Sequence, residues 1–564
     1  MSETAASSTQ DVLPAALDPS DPYARAAETF PRLSDAQVAR VTPFGTVEAL
    51  AKGTVLFERD DRSVDFFLVL EGCIEIYEPG PGGEPVVMTV HAEHQFTGEL
   101  DLFNNRAILV GGRMGVDGRV VRLGRAQFRR LLAAEPGVAE TVMRAFILRR
   151  AGFIQHGQAA VTILGARRSA DTLRIQRFLG RNGHPFVMLD PDADEEGAAL
   201  LRGTGQATEE GPVVLCGPGR VLTRPSNQTL GDCLGISEPL DPTTVADVAV
   251  VGAGPAGLAV AVYAASEGLD TLVLESEAPG GQAGTSSRIE NYLGFPTGIS
   301  GQALAARAQV QAQKFGARIA VPRRVERLRV DERPYGLELA DGTSVRTQTV
   351  VIATGARYRR LEHLDGFDRF EGSGIHYAAG AVEAGLCEDE DVVVVGGGNS
   401  AGQAAVFLSR HAVHVHVLVR GDGLAASMSD YLVSRIEAVP QRITLHRHTE
   451  ITALAGERHL ERVTWTNRRT GAEHARPIAN VFLMLGAVPN TEWLQGVVDL
   501  DDKGFVRGAV ADGDGVRPPA IMETNRPGVF AVGDVRAGSV KRVASAVGEG
   551  SIVVSSVHQA LAAS

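Results

Sequence analysis

Two glycine-rich segments of this chain have the residue types and the spacing that bind a pyrophosphate. The first, Gly252-Ala-Gly254-Pro-Ala-Gly257, directly follows the apolar run Asp247–Val251. In a strand–turn–helix context, the first glycine permits a tight turn, the second lets the backbone approach the phosphates, and the third lets helix and strand pack closely. The N-terminus of the helix stabilises the anion. Glu275 follows the next apolar run, Thr271–Leu274, and is therefore placed to bind a ribose diol.

The second segment, Gly396-Gly-Gly398-Asn-Ser-Ala401, follows the run Asp391–Val395. Its next predicted strand, His414–Val419, ends in Arg420 and not in an acid. An arginine can pair with the 2′-phosphate of NADPH, which an acid would repel, so NADPH is expected; the alternative is a solvated surface arginine. The expected contacts are Gly396, Gly398, Asn399, Ser400, Ala401 and Arg420. Two such segments imply two dinucleotides, one a bound flavin and the other a hydride donor.

The elements around these segments predict a multidomain protein. From Val245 onward, strand and helix patterns alternate as in two α/β Rossmann-like dinucleotide-binding domains. Upstream, short β-like runs precede a helical run, Phe128–Arg150, which predicts a β-barrel plus helix, and a small α/β pattern follows. The predicted boundaries are 1–25 for a disordered tail, 26–158 for the barrel domain, 159–236 for the small α/β domain, 237–244 for a linker, 245–364 with 490–564 for the first dinucleotide-binding domain, and 365–489 for the second.

Composition narrows the classes of function. The formal net charge of −13 argues against a nucleic-acid binder, which needs basic patches. No apolar run is long enough to cross a bilayer, and the N-terminus does not resemble a secretory signal, so a cytoplasmic protein is expected. The four cysteines, Cys73, Cys216, Cys233 and Cys387, form no C-x-x-C pair, and no Cys/His cluster has metal-ligand spacing. Buried thiols are the simplest interpretation.

Residues 245–564 resemble the low-molecular-weight thioredoxin reductase family in several motifs that agree in order and spacing. These motifs are Pro279-Gly-Gly-Gln282, Ile289-Glu-Asn-Tyr-Leu-Gly294, Ala353-Thr-Gly-Ala356, Leu485-Gly-Ala-Val-Pro-Asn-Thr491, Gly528-Val-Phe-Ala-Val-Gly-Asp534 and Arg542-Val543-Ala544. The resemblance implies an FAD-binding homodimer. The implied FAD contacts are Gly252, Gly254, Pro255, Ala256, Gly257, Glu275, Gly281, Gln282, Asn291, Thr354, Gly355, Gly533, Asp534, Arg542, Val543 and Ala544.

The chain departs from that family at two positions. The redox-active C-A-T-C of the family corresponds to a stretch in which the two sulfur positions are Ala378 and Ala381. An internal dithiol is therefore excluded at that place, and Cys387 is expected to be structural. Of the family's H-R-R…R cluster, this chain also retains only one arginine, so NADH remains possible as the hydride donor. His376 and Tyr377 are expected to line the approach to the flavin, with His376 as a proton donor or, alternatively, a packing residue.

Two upstream segments carry further resemblances. Lys52-Gly-Thr-Val-Leu-Phe57 and Phe96-Thr-Gly-Glu-Leu100 resemble the cyclic-nucleotide-binding barrel, in which Glu99 would bind the ribose and Arg106 the cyclic phosphate. The alternative is a barrel used for dimerisation or docking. Residues 161–236 resemble a thioredoxin- or glutaredoxin-like domain whose active-site turn falls at Ser169-Ala-Asp-Thr172, without cysteines. Pro212 falls at the cis-proline position of that fold.

Together the resemblances imply an NAD(P)H oxidoreductase in which a hydride passes from NADPH to FAD and then to an external acceptor. A ferredoxin-, flavodoxin- or thioredoxin-like protein and a quinone are candidate acceptors. The alternatives are a thioredoxin-disulfide reductase that uses partner thiols and a redox sensor regulated through the barrel. Rotation between the dinucleotide-binding domains, with hinges near Leu364–Gly366 and Pro489–Asn490, is implied by the resemblance.

Overall fold

The computed structural model describes residues 21–80, 84–104, 106–158, 160–207, 211–217, 219–425, 428–509 and 520–563. Most of the predicted tail, 1–20, lies outside these residues. The remainder of that tail is ordered, because Pro22–Arg25 forms a 3-10 turn and the Tyr23 hydroxyl donates to Gln158 Oε1 at 2.5 Å. Across the described ranges, no helix is both long enough and apolar enough to span a bilayer.

The first domain consists of two small antiparallel sheets with helices at either end. The leading helices are α1 (Ala26–Thr29) and α2 (Asp35–Val41). The strands are β1 (Thr46–Leu50), β2 (Val55–Phe57), β3 (Phe66–Glu71), β4 (Ile74–Pro79), β5 (Pro85–His91), β6 (Gly111–Met114) and β7 (Gly118–Leu123). The sheet orders are β1-β7-β3 and β2-β6-β4-β5. The closing helices are α3 (Arg125–Ala134) and α4 (Pro136–Gln155).

The single helix predicted over Phe128–Arg150 is therefore wrong in one respect. Two helices occupy this stretch, and Glu135 between them has φ −123° and ψ 75°, outside the helical region. Pro136 explains the break, because a proline ring disfavours helical backbone at the preceding residue and removes a donor.

The second domain is a small four-stranded sheet with three helices. Its elements are β8 (Val161–Leu164), α5 (Ala170–Arg181), β9 (Phe186–Leu189), α6 (Glu195–Thr204), β10 (Val213–Gly217), β11 (Arg220–Thr223) and α7 (Asn227–Cys233). The sheet order is β11-β10-β8-β9, in which β8 and β9 are parallel and the other neighbours antiparallel. The cis peptide bonds of the described residues precede Pro322 and Pro334, so the expected cis-proline at Pro212 is wrong.

The predicted linker, 237–244, contains neither helix nor strand but is not a free tether. Ser237 and Glu238 are buried, at 3% and 5% exposure. Their carbonyl groups accept hydrogen bonds from Arg62 of the barrel domain and Arg323 of the next domain. This segment therefore packs between two domains, which its polar composition did not indicate.

The first dinucleotide-binding domain is built on a mainly parallel sheet. Its first elements are β12 (Val245–Val251), α8 (Pro255–Ser266), β13 (Thr271–Leu274), α9 (Gly301–Phe315), β14 (Arg318–Ala320), β15 (Val325–Arg329), β16 (Tyr335–Leu339), β17 (Ser344–Ile352) and β18 (Ala356–Tyr358). The order β14-β13-β12-β17 is parallel, and β16 and β15 add an antiparallel hairpin.

The second dinucleotide-binding domain has a five-stranded parallel sheet, β19-β26-β20-β21-β22, and a separate three-stranded antiparallel sheet. Its elements are α10 (Phe367–Phe370), β19 (Ile375–His376), α11 (Ala381–Ala384), β20 (Asp391–Val395), α12 (Asn399–Leu408), β21 (His414–Val419), α13 (Asp430–Glu437), β22 (Ile443–Arg447), β23 (Thr449–Ala455), β24 (Arg462–Asn467), β25 (Glu473–Arg476) and β26 (Asn480–Leu483).

The chain then returns to the first dinucleotide-binding domain through β27 (Ala487–Pro489), β28 (Val529–Ala531) and α14 (Val543–Ala562). Strand β27 pairs with β18 as a two-stranded ribbon between the two domains, and β28 joins the sheet beside β17. Helix α14 packs against α8 so closely that a methyl group at Gly550 would lie 2.5 Å from the Ala256 carbonyl oxygen.

We expect Gly550→Ala to destabilise the first dinucleotide-binding domain by about 1–2 kcal/mol, because the added methyl group overpacks the contact between α14 and α8. Gly548→Ala is the matched control on the same helix, since its methyl group would meet no atom within 4 Å. The control should gain up to about 1 kcal/mol from helix propensity. Thermal unfolding followed by circular dichroism measures both, and a Gly550→Ala protein as stable as the control would contradict the expectation.

Candidate functional site

One cleft of about 2500 Å³ is lined by residues of both glycine-rich segments. All the predicted dinucleotide contacts line it except Gly257 and Ala401. A methyl group at Gly257 would lie 1.9 Å from the Gly252 carbonyl oxygen, and Ala401 is fully buried, so both pack beneath their turns. The two segments, which are far apart in sequence, therefore open into a shared space.

The first glycine-rich turn has the shape that a pyrophosphate requires. Gly252 has φ +104°, and a side chain there would collide with the Ala353 carbonyl oxygen at 2.4 Å. At Gly254, by contrast, a methyl group would meet only the Gly281 Cα atom, at 3.9 Å, and would otherwise point into open space of the cleft. Helix α8 begins at Pro255, directly behind this opening. The residues present therefore fit a dinucleotide phosphate at this helix N-terminus.

Glu275 is held rigidly at the end of β13. Its Oε2 accepts a hydrogen bond from the Ala253 backbone N–H at 2.7 Å, and its Oε1 accepts one from the Glu277 N–H at 2.9 Å. Burial raises the pKa of this carboxyl group, against the effect of the two donors. Each oxygen retains acceptor capacity for a ribose hydroxyl.

The segments that the resemblance assigns to the flavin surround the same part of the cleft. The Gly280 N–H donates to the Ala253 carbonyl at 2.7 Å, so this loop is bound to the first turn. Gln282 donates through Nε2 to the Ala356 carbonyl, and Asn291 is exposed in the cleft. Gln282 and Asn291 therefore line the cleft next to the first glycine-rich turn.

The chain passes between the two dinucleotide-binding domains twice, and these two crossings are hydrogen-bonded to each other at the floor of the cleft. The Thr354 hydroxyl donates to the Asn490 carbonyl at 2.8 Å, and Asn490 Nδ2 donates to the Thr354 carbonyl at 2.9 Å. Asn490, which was predicted as a hinge position, is thus hydrogen-bonded to the first dinucleotide-binding domain at this end of the crossing.

The C-terminal segment completes the cleft beside α14. Asp534 is partly buried, and burial raises the pKa of its carboxyl group. Glu549 of α14 was missed by sequence reasoning; it accepts from the Gly533 N–H at 2.6 Å and pairs with Arg536. Its only sequence signal was a glutamate within an apolar helix. Residues 542–544 line the cleft where α14 begins.

The second glycine-rich turn is similarly supported. A methyl group at Gly396 would lie 2.5 Å from the Met484 carbonyl oxygen, and Asn399 Oδ1 accepts from the Ser429 N–H at 2.7 Å. Ser400 lies beside Tyr358 of the connecting ribbon, where it opposes the rise that burial causes in the pKa of the Tyr358 hydroxyl group. Arg420 is exposed at the end of β21 and lines the cleft. A cation is therefore available where a 2′-phosphate would lie.

The structure does not support His376 as a proton donor. It is 1% exposed, its Nδ1 accepts from Arg177 at 3.1 Å, and its Nε2 contacts Asn480 Oδ1 at 3.0 Å. Burial lowers the pKa of the imidazole, so the ring is neutral near pH 7. Tyr377 donates to Glu371 at 2.6 Å, which turns its hydroxyl group toward a carboxylate. Both residues line the cleft as packing groups.

None of the four cysteines, all of which lie in the described ranges, lines the cleft. Ala378 and Ala381 line the cleft, while Cys387 is fully buried and its thiol donates to the Glu383 carbonyl at 3.1 Å. Burial raises the pKa of the Cys387 thiol to about 12. Cys387 is therefore a poor nucleophile.

The two barrel residues assigned to a cyclic nucleotide have partners within the protein. Glu99 Oε1 forms an ion pair with Arg150 at 2.9 Å, without the alignment of a hydrogen bond, and burial raises the pKa of Glu99 to about 8. Arg106 donates to the Asn182 carbonyl at 3.0 Å and to its Oδ1 at 3.2 Å. Both side chains are therefore in contact with protein groups in this arrangement.

We expect Gly254→Ala to weaken FAD binding at least tenfold while leaving the apoprotein as stable as wild type. Its methyl group would enter the cleft where the phosphates approach but would meet no close protein atom. Titration of apoprotein with FAD, followed by flavin fluorescence, measures affinity, and circular dichroism measures stability. Unchanged affinity would place the pyrophosphate elsewhere.

Comparison with known proteins agrees with this geometry. Residues 246–550 match the family described as pyridine nucleotide-disulphide oxidoreductase, and residues 47–135 match the cyclic nucleotide-binding domain. A Streptomyces clavuligerus thioredoxin reductase is 32% identical over 320 residues, 57% of this chain and 95% of that protein. A Bacillus subtilis NADH dehydrogenase is 32% identical over 304 residues, 54% of this chain and 56% of that protein.

A solved structure gives the same result for the fold. The crystal structure of Lactococcus lactis thioredoxin reductase in the FR conformation matches at 27% identity with a TM-score of 0.51, covering 57% of this chain and 100% of that one. The likeness thus includes both dinucleotide-binding domains. The chain therefore belongs to the pyridine nucleotide-disulphide oxidoreductase family and is an FAD-dependent NAD(P)H oxidoreductase that also carries a cyclic nucleotide-binding domain.

Proposed function

We propose that this enzyme passes electrons from NADPH through FAD to an external acceptor without an internal dithiol. The observation that carries the proposal is the presence of Ala378 and Ala381 in the cleft, at the positions that hold cysteines in the resembled reductases. A methyl group stores no electrons. Because Cys387 is buried and bonded to a backbone carbonyl, it offers no substitute.

The residues of the cleft have complementary roles in this function. A bound FAD supplies two-electron exchange with a nicotinamide and release of electrons to an acceptor. The Gly254 turn and the N-terminus of α8 bind its pyrophosphate, and Glu275 binds the adenosine ribose. Asp534 and Asn291 bind the ribityl chain and the ring region. Thr354 and Asn490 hold the two crossing segments in place, which fixes the depth of the cleft.

NADPH is the proposed donor on the second glycine-rich turn. Arg420 lies at the end of β21, and the residue directly after it is not an acid. Asp422, two residues further on, forms an ion pair with Arg469 at 2.9 Å. That ion pair reduces the negative potential which would otherwise repel a phosphate. NADH is the weaker proposed donor.

The acceptor classes proposed are a quinone and a ferredoxin-, flavodoxin- or thioredoxin-like protein. The small domain, which has one parallel and two antiparallel neighbour pairs, is proposed to be a thioredoxin/glutaredoxin-like domain without active cysteines. The protein is proposed to act as a cytoplasmic homodimer. A second candidate role, a redox sensor regulated through the barrel, is favoured by the contacts of Arg106 and Arg150 with Asn182 and Gly183 of the small domain.

We expect Cys387→Ser and Cys216→Ser, alone and together, to retain at least half of the wild-type kcat with a quinone acceptor. Neither thiol lines the cleft, and a serine hydroxyl can replace the Cys387 bond to the Glu383 carbonyl. Steady-state NADPH oxidation measures kcat. A hundredfold loss would show a hidden cysteine relay, whereas rapid flavin reduction with slow reoxidation by all acceptors would favour the sensor.

We expect Arg420→Ala to raise the KM for NADPH about tenfold and to leave the KM for NADH unchanged, because the variant loses one charge-assisted pair with the 2′-phosphate. Arg410→Ala is the control, an exposed arginine of the same domain that does not line the cleft. Stopped-flow flavin reduction with each nucleotide gives the comparison. Equal effects on both nucleotides would remove Arg420 from the phosphate site.

A further inference from the structure

The small α/β domain contacts both dinucleotide-binding domains through α5 and the residues that flank it. Asp232 of α7 also forms an ion pair with Arg323 of the first of these domains, at 3.8 Å. Helix α5 runs along the cleft, and its residues 170, 171, 174, 176, 177, 178, 180 and 181 line the cleft wall. Sequence reasoning did not find this role. The only signal was the spacing of Arg174, Arg177 and Arg181, which places three guanidinium groups on one face of a helix.

The loop before α5, and Arg177 in the second half of the helix, bind the second dinucleotide-binding domain. Arg168 forms an ion pair with Glu390, and the Ser373 hydroxyl donates to the Arg168 carbonyl at 2.7 Å. Arg177 donates through Nε to Glu383 Oε1 at 2.6 Å and through Nη2 to His376. The Glu383 side chain is only 4% exposed. Burial opposes its ionisation, but Arg177 supplies the positive charge that lowers the pKa of Glu383.

The C-terminal end of α5 binds the first dinucleotide-binding domain at residues 277–281. This loop, which follows Glu275 and includes part of the segment that the resemblance assigns to the flavin, is called the flavin loop. Arg181 donates to Glu277 Oε2 at 3.1 Å, to the Ala278 carbonyl at 3.3 Å and to the Gly281 carbonyl at 3.1 Å. Asn182 Nδ2 donates to the Glu277 carbonyl at 3.0 Å. From the other side, Gln302 of α9 donates to the Gly180 carbonyl at 2.6 Å.

The direct contacts between the two dinucleotide-binding domains are few compared with the bonds that α5 and its flanking residues make to them. The ribbon of β18 and β27 has three residue pairs, and Arg435 of α13 forms an ion pair with Glu290. Domains joined by such small interfaces move relative to each other by default. A rigid helix that is bonded to one domain at its beginning and to the other at its end opposes that motion.

We propose that the small domain is an internal clamp, in which α5 holds the two dinucleotide-binding domains in the single arrangement where both glycine-rich turns open into one cleft. The clamp consists of Arg168, Arg177 and Ser373 on one side, and of Arg181, Asn182 and Gln302 on the other. A single arrangement suffices if, as proposed above, electrons leave without a dithiol that must be reached in turn. The clamp itself is a statement about motion and does not depend on the acceptor.

The test compares hydrogen–deuterium exchange in holoenzyme variants. Arg168→Ala and Arg181→Ala each remove the side-chain bonds of one arginine at one end of α5, and the double variant removes both sets. The bonds of Arg177, Ser373, Asn182 and Gln302 remain. Both substitutions leave solvated or otherwise bonded partners, because Glu277 is 64% exposed and Glu390 also accepts from Asn480. Arg177 is not substituted, because Glu383 would remain buried without its counter-charge.

Arg174→Ala is the matched control on the same face of α5. Its guanidinium group bonds Asp171, Asn227 and the Pro225 carbonyl, all within the small domain. The clamp predicts that peptides over 356–366 and 485–492 exchange about tenfold faster in the double variant, and less so in each single variant, since several hydrogen bonds oppose opening. The control should match wild type at these peptides.

Two outcomes would overturn the clamp. One is unchanged exchange of both crossings in the double variant. The other is an equal increase in Arg174→Ala, which would show that the effect comes from a loosened small domain. Stopped-flow flavin reduction by NADPH should also slow about tenfold in the double variant, because the two turns would share the cleft for less time. Failure of the proposed function would be distinguishable, since it would appear in wild type as slow reoxidation of the reduced flavin by every acceptor, or in the cysteine variants as lost turnover, without any change in the exchange of the two crossings.

Discussion

The structure depends on a backbone-to-backbone approach at the first glycine-rich turn. The carbonyl oxygen of Gly252 lies where a side chain at Gly257 would have to be, and Gly550 brings α14 against the same helix. Atoms this close leave no room for a methylene group, so the direction of α8 is fixed by contact and not by propensity. The phosphate site at this end of the cleft follows from that direction, because the positive end of the helix dipole points into the cleft.

Two buried carboxylates of the chain are paired with arginines, one at a domain interface and one within a domain. Glu383 and Glu549 are nearly inaccessible, and each has an arginine partner from another element. Such pairs contribute little net stability compared with apolar packing, but breaking one leaves a buried charge. Their value here is positional, because an arginine must lie within about 3 Å of a carboxylate that cannot move. The small domain is therefore oriented by charge, while the core of each domain is held by apolar packing.

Local parts of this fold could be predicted from the sequence, and distant contacts could not. Strand β21 and both glycine-rich turns were found with their bounds, because glycine spacing and apolar runs are properties of neighbouring residues. Pro136 is also a local signal and indicates a break between two helices. The continuous apolar stripe on both sides of it nevertheless favoured the prediction of one helix. The burial of Glu238 and the neutral state of His376 were hidden, because each is imposed by a domain far away in sequence.

The contacts of residues 181–183 connect the barrel domain to the first dinucleotide-binding domain. Arg181 bonds the flavin loop, Asn182 is bonded by Arg106 of the barrel and itself donates to the flavin domain, and the Gly183 carbonyl accepts from Arg150. Three consecutive residues thus carry bonds to two different domains. Loss of the bonds from Arg106 and Arg150 would leave the Asn182 and Gly183 carbonyl groups without these donors. The loss of those bonds would fall on the same turn that holds the flavin loop in place.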